Sequence, residues 1–312
     1  MSILDAIIQG IVQGLTEFLP VSSSGHLLIS QHILGVKENN LFFSIMLHIG
    51  TLIAVLAVYY KTILKLIKSF FEIIKDIFTG KFDFKKLDND KNMVLMLMAG
   101  LLPLFLLFVP IPGSNTNVKG IAEELAGDKS IILVGIALIV TSILLKTGIN
   151  ARQTYKINYT FDREKPWEGR KRLNLMDALS IGVTQFVAAI FPGISRSGST
   201  LSTGLLRGIN KQTALDYSFI LGTPAILAAA VIELKDALKV GAISSVGLAP
   251  VIVGMVVSAV VGFLSIKLFK WLLKTDKMII FVIYTFVVGL ASVIIGVIEN
   301  IYGMNIFTHT TL

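Results

Sequence analysis

The chain has 312 residues, of which 54% are hydrophobic and only 15% are charged, and its mean hydropathy is +0.78. A soluble domain carries about 25% charged residues, so this chain has too little charge to cover a surface that faces water. We therefore predict an integral membrane protein. In a membrane protein the net charge of +8 is evidence about which loops face the cytoplasm. It does not indicate a nucleic-acid partner. The absence of cysteine excludes disulfides and thiolate chemistry.

Six apolar runs have about the 20 residues that a helix needs to span a membrane. They lie at 41–60, 93–112, 130–146, 213–232, 247–267 and 278–298. Residues 61–78 continue the first run with apolar positions at helical spacing and lysines between them. This pattern indicates either an amphipathic helix on the cytoplasmic membrane surface or a solvated extension of the first span.

Two further apolar stretches, residues 3–34 and 175–206, are interrupted in the middle. Pro20 and Pro192 stand at these interruptions, and serine and glycine follow each of them. Proline breaks a helix, and irregular backbone persists at membrane depth only where protein buries it or where it lines a watery cavity. Both stretches therefore predict re-entrant helical hairpins.

The two hairpin stretches align without a gap when the sequence is shifted by 172 residues. The aligned pairs are Asp5 and Asp177, Gly10 and Gly182, Gln13 and Gln185, Pro20 and Pro192, and Ser23 and Ser195. The span that follows also repeats, with a slip of two residues: residues 43–55 align with residues 217–229.

Each half of the chain then holds one hairpin and three spans. The halves are residues 1–150 and 173–312, approximately, and a cytoplasmic linker joins them at 147–172. Because three is odd, the second half is inverted in the membrane, and such a repeat places its functional site near the midplane. The predicted fold is a single all-α membrane domain with six transmembrane helices and two re-entrant hairpins in an inverted-topology repeat.

Lysine and arginine residues concentrate on one side of this arrangement. The segments 61–92 and 146–172 carry eight basic residues each and 267–277 carries four, whereas the opposite loops hold five lysines in total. The positive-inside rule places the basic segments in the cytoplasm and both termini outside.

The first hairpin carries a carboxylate at membrane depth. Glu17 follows Gln13 by four residues, so the two side chains share one face of a helix. A carboxylate in this environment is a candidate functional group. Together with an amide oxygen it offers ligands suited to Mg²⁺ or Ca²⁺. The alternative is a Glu17 that is protonated or paired with Arg196.

Polar residues follow Pro20 where a second helix is expected to begin. The run is Ser22, Ser23, Ser24, Gly25 and His26. The free N–H groups and hydroxyls of such a helix start favour an anion site, although serine at a helix start can also serve only as a cap. The histidine could exchange a proton with a serine or with a leaving oxygen near neutral pH.

The second hairpin supplies a cation. Arg196 is the single basic residue in an apolar stretch, and an arginine at the bilayer centre costs about 2.5–3.5 kcal/mol. A phosphate compensates this cost well, because the guanidinium binds two of its oxygens at once. The neighbouring donors Ser195, Ser197 and Thr200 add an anion-binding surface. These features together predict a metal-assisted site for phosphorylated lipid headgroups.

Two motifs carry a resemblance to a known family. They are Gln13-x-x-x-Glu17 with Pro20-Val-Ser-Ser-Ser-Gly-His26, and Pro192-Gly-Ile-Ser-Arg-Ser-Gly-Ser-Thr200. Both resemble the signature motifs of the bacterial undecaprenyl-diphosphatases, the BacA/UppP family, and the resemblance runs over essentially the whole chain. It implies hydrolysis of undecaprenyl diphosphate to the monophosphate in the cell membrane, which recycles the lipid carrier of cell-wall synthesis and is associated with bacitracin resistance.

The resemblance also implies roles for single residues. Glu17 would be the central acid, Ser23 the nucleophile or the hydroxyl that orients water, His26 a proton-transfer partner and Arg196 the phosphate clamp. The first motif allows Glu or Gln at its first position, and the present Gln13 removes one carboxylate that a metal could have used.

Several alternatives stay open from sequence. Inverted repeats with broken elements are also found in transporters, so a carrier or flippase of a phosphorylated lipid is the second hypothesis. His48 lies within the first span, where packing with one hydrogen bond is favoured over catalysis. A stripe of small residues at Gly254, Ser258 and Gly262 allows close helix contact, either within one chain or across a homodimer.

Overall fold

The computed structural model describes residues 1–35, 41–114, 116–127, 130–160, 168–240 and 247–310. Across these ranges the chain is helical, and it forms no β-strand beyond two isolated bridges. The α-helices in chain order are α1 (Ile3–Thr16), α2 (Ser23–Leu34), α3 (Leu41–Phe78), α4 (Asn89–Leu101), α5 (Val118–Gly127), α6 (Ile131–Thr160), α7 (Leu175–Ile190), α8 (Arg196–Leu206), α9 (Lys211–Val240), α10 (Leu248–Lys274) and α11 (Ile279–Tyr302). A 3₁₀ segment, Leu102–Phe108, continues α4.

Six helices in the described ranges are long and apolar enough to cross a membrane, which confirms the six predicted spans. They are Phe42–Phe78, Asn89–Phe108, Ile131–Ile157, Lys211–Lys235, Leu248–Lys274 and Ile279–Tyr302. On α11 the large side chains of Ile283, Val287 and Ile294 are at least half exposed and share one face. An apolar face of this kind is covered by lipid. The chain is a multi-pass, all-α membrane protein.

The first span and residues 61–78 form one uninterrupted helix of 38 residues, about 57 Å long at the α-helical rise. Beyond the predicted span, Leu66 and Ile73 are buried in the hydrophobic core. Asp76 near the end of the helix pairs with Lys91 of α4 at 2.7 Å. Residues 61–78 therefore extend the first span and pack one face on the protein, instead of forming a separate helix.

Both predicted helix breaks are present. The first lies between α1 and α2 and contains Pro20, and the second lies between α7 and α8 and contains Pro192. The four helices have 14, 12, 16 and 11 residues, too few to cross a bilayer alone. Their lengths are compatible with re-entrant hairpins.

The first helix of each half begins in the same way. Ser2 and Asp5 form a reciprocal capping box at the start of α1. Asn174 and Asp177 form the same box at the start of α7, 172 residues later. A capping box satisfies two of the N–H groups that a helix start leaves unpaired. Equivalent residues therefore stabilise the start of the first helix in each half.

After the prolines, the repeat shifts its register by one residue. Ser22 caps α2 and Ser195 caps α8, and each hydroxyl accepts a hydrogen bond from the glycine N–H three residues later, at 3.2 and 3.1 Å. The structural counterpart of Ser22 is thus Ser195. Consequently Ser23 and Arg196 occupy equivalent positions, each as the first residue of its helix.

The two halves pack against each other in a reciprocal pattern. A Cβ atom on Gly10 of α1 would lie 2.8 Å from the carbonyl oxygen of Gly254 in α10. A Cβ atom on Gly182 of α7 would lie 2.4 Å from the carbonyl oxygen of Gly100 in α4. The first helix of each half thus lies directly on the second long helix of the other half, as two halves related by a twofold axis would.

The two ends of the helix bundle differ in charge. Buried Asp177 binds Arg170 and Arg207 at 2.8 and 2.9 Å, at the end where the basic segments lie. The opposite end holds both ends of the described chain: Thr308 lies against Gly35, and Met1 packs on the apolar cluster at the start of α10. Both ends of the described chain thus lie away from the basic end.

We expect Gly182→Val to lower the free energy of unfolding of the purified protein by about 1–3 kcal/mol, because the added atoms collide with the α4 backbone. The measurement is the unfolding temperature in detergent. Val183→Leu, at a half-exposed neighbouring position, is the matched control and should leave the temperature unchanged. Equal unfolding temperatures for Gly182→Val and the parent would contradict the close α4–α7 contact.

Candidate active site

The two helix breaks meet in a cavity of about 310 Å³. Its walls come from both breaks, from α3, α7 and α9, and from the 3₁₀ segment. The polar residues that line it are Thr16, Glu17, Ser22, Ser23, Ser24, His48, Gln185, Ser195, Arg196, Ser197 and Glu233. Most of the residues that the sequence predicted for the site therefore do meet at one place.

Glu17 is the centre of this cluster. Its Oε1 accepts a hydrogen bond from Nη2 of Arg196 at 2.7 Å, and its Oε2 accepts one from Oγ of Ser23 at 2.7 Å. The amide of Gln13 also donates to Oε2, at 3.0 Å. Only 7% of Glu17 is exposed, so its charge is matched by the guanidinium and by hydrogen bonds instead of by bulk water.

Local backbone geometry aims Ser23 at Glu17. Glu17 is the C-cap residue directly after α1, and Ser23 is the first residue of α2. Between them Ser22 has a φ of +73°, a value that side-chain-bearing residues rarely adopt. Its hydroxyl caps α2, which ties this strained turn to the helix start.

Serines also join the two breaks to each other. The Gly193 N–H donates to Oγ of Ser24 at 3.3 Å, and Oγ of Ser197 donates to the Leu19 carbonyl at 3.1 Å. These bonds cross from one half of the chain to the other. The predicted binding residues Ser24 and Ser197 thus line the cavity, and they also join the first helix break to the second.

Two of the predicted binding residues do not line the cavity. Gly25 donates its N–H to the Ser22 cap, and a Cβ atom there would lie 3.4 Å from Cα of Gly193, so this glycine allows close packing of the two breaks. Thr200 is fully buried, and its hydroxyl bonds to the Arg196 carbonyl and to Ser218. Thr200 therefore lies on the same helix as the arginine, one turn further on, and joins this helix to α9.

His26 faces away from the cavity lining. Its Nδ1 lies 2.8 Å from the Ser22 carbonyl, and its Nε2 lies 2.8 Å from the Tyr284 hydroxyl. The two rings also stack, with their centroids 5.5 Å apart. Both ring nitrogens are engaged, so this geometry supports a role in holding α2 against α11; proton transfer by His26 stays a prediction.

His48 is closer to the reacting groups than the sequence suggested. Its Nδ1 bonds to the Ser44 carbonyl, as expected for a packed histidine, but its Nε2 lies 3.9 Å from Oε2 of Glu17 and the ring lines the cavity. The two-residue slip of the repeat aligns His48 with Gly222 of α9, and in the structure both positions flank the ion pair of Glu17 and Arg196.

Gly222 makes room for the arginine. A Cβ atom at this position would lie 1.8 Å from Nη1 of Arg196 and 2.6 Å from its Cζ. Any side chain larger than hydrogen would therefore displace the guanidinium from its place beside Glu17. Sequence analysis had no reason to single out one glycine in a long apolar helix.

The donor set around Glu17 is compatible with a hard cation that the substrate helps to hold. No group of three or more His, Asp or Glu residues with metal-binding geometry is present in the described part of the chain. Glu17 supplies one carboxylate, and Oε1 of Gln13 is buried without a partner among the described residues. Mg²⁺ is commonly bound by one or two carboxylates together with substrate phosphates and water.

The fold and the site define a multi-pass membrane protein with a carboxylate, a hydroxyl and a guanidinium held together in an intramembrane cavity. The chain belongs to the family described as bacitracin resistance protein BacA, whose model matches residues 6–291.

Three relatives named undecaprenyl-diphosphatase are similar over nearly their whole length. The protein of Alkaliphilus metalliredigens is 39% identical, with 93% of this chain and 97% of the relative covered. That of Methanosphaera stadtmanae is 36% identical, with 96% and 99% covered. That of Carboxydothermus hydrogenoformans is 34% identical, with 95% and 98% covered.

We expect Arg196→Ala to destabilise the protein by about 3 kcal/mol, because it leaves the Glu17 carboxylate buried without its counter-charge. The double variant Glu17→Gln with Arg196→Ala should recover much of this loss, since no charge remains to be matched. The measurement is the unfolding temperature in detergent of the parent protein, of Arg196→Ala and of the double variant. A double variant no more stable than Arg196→Ala alone would show that the ion pair does not determine the stability of the site.

Proposed function

We propose that this chain removes the terminal phosphate from undecaprenyl diphosphate in the membrane and returns undecaprenyl phosphate. Membership of the BacA family and the names of its relatives support this activity. The observation that carries it is the simultaneous hydrogen bonding of Glu17 to Ser23 and to Arg196 inside a cavity. It supports the proposal because a hydroxyl, a carboxylate and a guanidinium lie within contact of one another, and these groups can serve as nucleophile, base and anion-binding group.

Arg196 binds the phosphate in this proposal. The guanidinium has five N–H donors, and one of them is directed at Glu17. The remaining donors can bind phosphoryl oxygens while the ion pair stays in place. The N-termini of α2 and α8 both begin at the cavity, and their dipoles also favour negative charge there.

Ser23 is the proposed nucleophile and Glu17 its base. Oγ of Ser23 attacks the terminal phosphorus while its proton passes to Oε2 of Glu17, which it already contacts at 2.7 Å. The bond from phosphorus to the bridging oxygen breaks, and this oxygen takes the proton as undecaprenyl phosphate leaves. Water then attacks the phosphorus of the phosphoserine: Glu17 accepts a proton from the water and passes it to Oγ of Ser23 as the phosphorus–Oγ bond breaks, and inorganic phosphate leaves.

A divalent cation, Mg²⁺ or Ca²⁺, is proposed as the cofactor. Glu17 would hold it, with Gln13 as a second oxygen donor. When bound, such a cation neutralises charge on the phosphoryl oxygens.

The mouth of the cavity is proposed to face the cell exterior. The cavity leads towards Glu233, near the end of α9 that lies away from the basic segments 61–92, 146–172 and 267–277. The positive-inside rule assigns the basic end to the cytoplasm, so the opposite end, with both termini, is outside. The alternative of a carrier is not favoured, because a carrier has no need of a serine hydrogen-bonded to a buried carboxylate.

Ser23→Ala should lower phosphate release from undecaprenyl diphosphate on the order of a thousandfold, because it removes the attacking oxygen. The matched control is Ser30→Ala on the same helix, where the hydroxyl bonds only to the Leu27 carbonyl. The control should be as active as the parent protein. Substantial turnover by Ser23→Ala would rule out the phosphoserine and leave water as the nucleophile.

Gly222→Ala should abolish most of the activity, and the preference of alanine over glycine in a helix, about 1 kcal/mol, should offset part of the stability lost when the ion pair is disturbed. The reason is the displacement of the Arg196 guanidinium. Thr223→Ala, whose hydroxyl bonds within α9 to the Phe219 carbonyl, is the control and should stay active. Normal turnover by Gly222→Ala would mean that Arg196 does not act from its observed position.

Removal of divalent cations with a chelator should stop phosphate release, and added Mg²⁺ or Ca²⁺ should restore it. Glu17→Gln should be inactive with or without the added ion, because it removes the only carboxylate at the two breaks. Full activity of the parent protein in chelator would refute the cofactor and leave Glu17 with the role of base alone.

A further inference from the structure

A second cavity, also of about 310 Å³, continues directly from the catalytic one. The residues common to both linings are Leu104, Leu107, Ala189, Ala225, Ala229 and Glu233. The two spaces are therefore one passage, with the ion pair at one end. We call the second space the side slot.

The walls of the side slot are almost entirely apolar. One wall is α9, where Ala225, Ala228, Ala229 and Ile232 line it, and the opposite wall is the 3₁₀ segment, Leu102–Phe108. Alanines on the α9 wall leave the space between the two elements open. Charged groups lie only at the outer rim.

The rim charges are Glu233, Lys119 and Glu123, and the last two form an ion pair with each other. They lie at the end of the bundle away from the basic segments. The apolar part of the slot thus lies between this rim and the polar groups of the catalytic cavity.

The backbone explains why this space is not filled. Pro224 lies inside α9 and removes the N–H that would bond to the carbonyl one turn earlier. The facing element is a 3₁₀ segment with Pro103 near its start. Beyond Pro224, Ala228 and Ala229 on α9 are exposed. Two proline-containing elements therefore face each other across an open side of the bundle.

The passage matches an amphipathic substrate in polarity. Its catalytic end offers Arg196 and Ser23 to a diphosphate, and its apolar end offers alanine, leucine and phenylalanine to hydrocarbon. An undecaprenyl tail is far longer than either cavity, so it must leave the protein for the bilayer. A slot with an open side permits this, whereas an enclosed pocket would not.

We propose that the side slot binds the isoprenoid units next to the diphosphate and leads the rest of the tail into the bilayer between α9 and the 3₁₀ segment. This inference rests on the proposed function, since it concerns the tail of the same substrate. It assigns to the slot the recognition of a prenyl chain on the diphosphate.

The test is Ala228→Phe, which fills the slot from the α9 wall at a residue that does not line the catalytic cavity. Rates of phosphate release are compared for undecaprenyl diphosphate and for methyl diphosphate, a short, water-soluble substrate that has no isoprenoid unit. We expect kcat/KM for the long substrate to fall about tenfold or more, and that for the short substrate to stay the same.

Leu227→Phe is the matched control, because Leu227 is half-exposed on the same helix and lines neither cavity. It should leave both rates unchanged. Loss of activity towards both substrates to the same degree in Ala228→Phe, or no loss towards either, would overturn the proposal.

A labelling experiment separates this inference from the proposed activity. A prenyl diphosphate with a photoreactive group on the isoprenoid unit next to the diphosphate is bound to the full chain and irradiated. Adducts within residues 104–108 or 225–232 are expected, and adducts only elsewhere would refute the slot. Labelling of the slot by a protein that releases no phosphate would refute the proposed activity and leave the slot in place.

Discussion

Two opposite charges buried in an apolar bundle constrain the whole arrangement of this molecule. Glu17 lies in the break of the first half and Arg196 in the break of the second, and their side chains meet at 2.7 Å. Burying either charge alone at this depth would cost several kcal/mol of free energy. The two halves must therefore bring their breaks together. The same contact leaves Ser23 bonded to the carboxylate beside the arginine to which the proposed function assigns the binding of phosphate.

The repeat explains how one fold supplies two different groups. Ser23 and Arg196 are each the first residue of the helix that follows a break, and a serine caps each helix from the position before. In the two halves, equivalent backbone positions therefore present a hydroxyl and a guanidinium to one carboxylate. His48 and Gly222 show the same division of roles on α3 and α9: one adds a ring beside Glu17, and the other leaves space for Arg196.

Hydropathy and proline positions predicted the spans and breaks because these follow from local composition. The Glu17–Arg196 pair was also foreseen as an alternative, since a buried charge needs a partner. Sequence could not predict Gly222 as a site residue, because its role is the absence of an atom where another helix delivers a side chain. The sequence favoured a packing role for His48, because Nδ1 of a histidine in a helix can bond to a nearby backbone carbonyl. That Nε2 lies beside Glu17 follows only from the tertiary structure.

The central claim is that Ser23 and Arg196 act as one unit on a single phosphate. The most direct measurement is a double-variant cycle on the rate of phosphate release from undecaprenyl diphosphate, with Ser23→Ala, Arg196→Lys and both together. Residues that act as a unit give grossly non-additive losses, so the double variant should be little slower than the slower single variant. Losses that multiply in the double variant would show that the two residues act independently and would contradict the account.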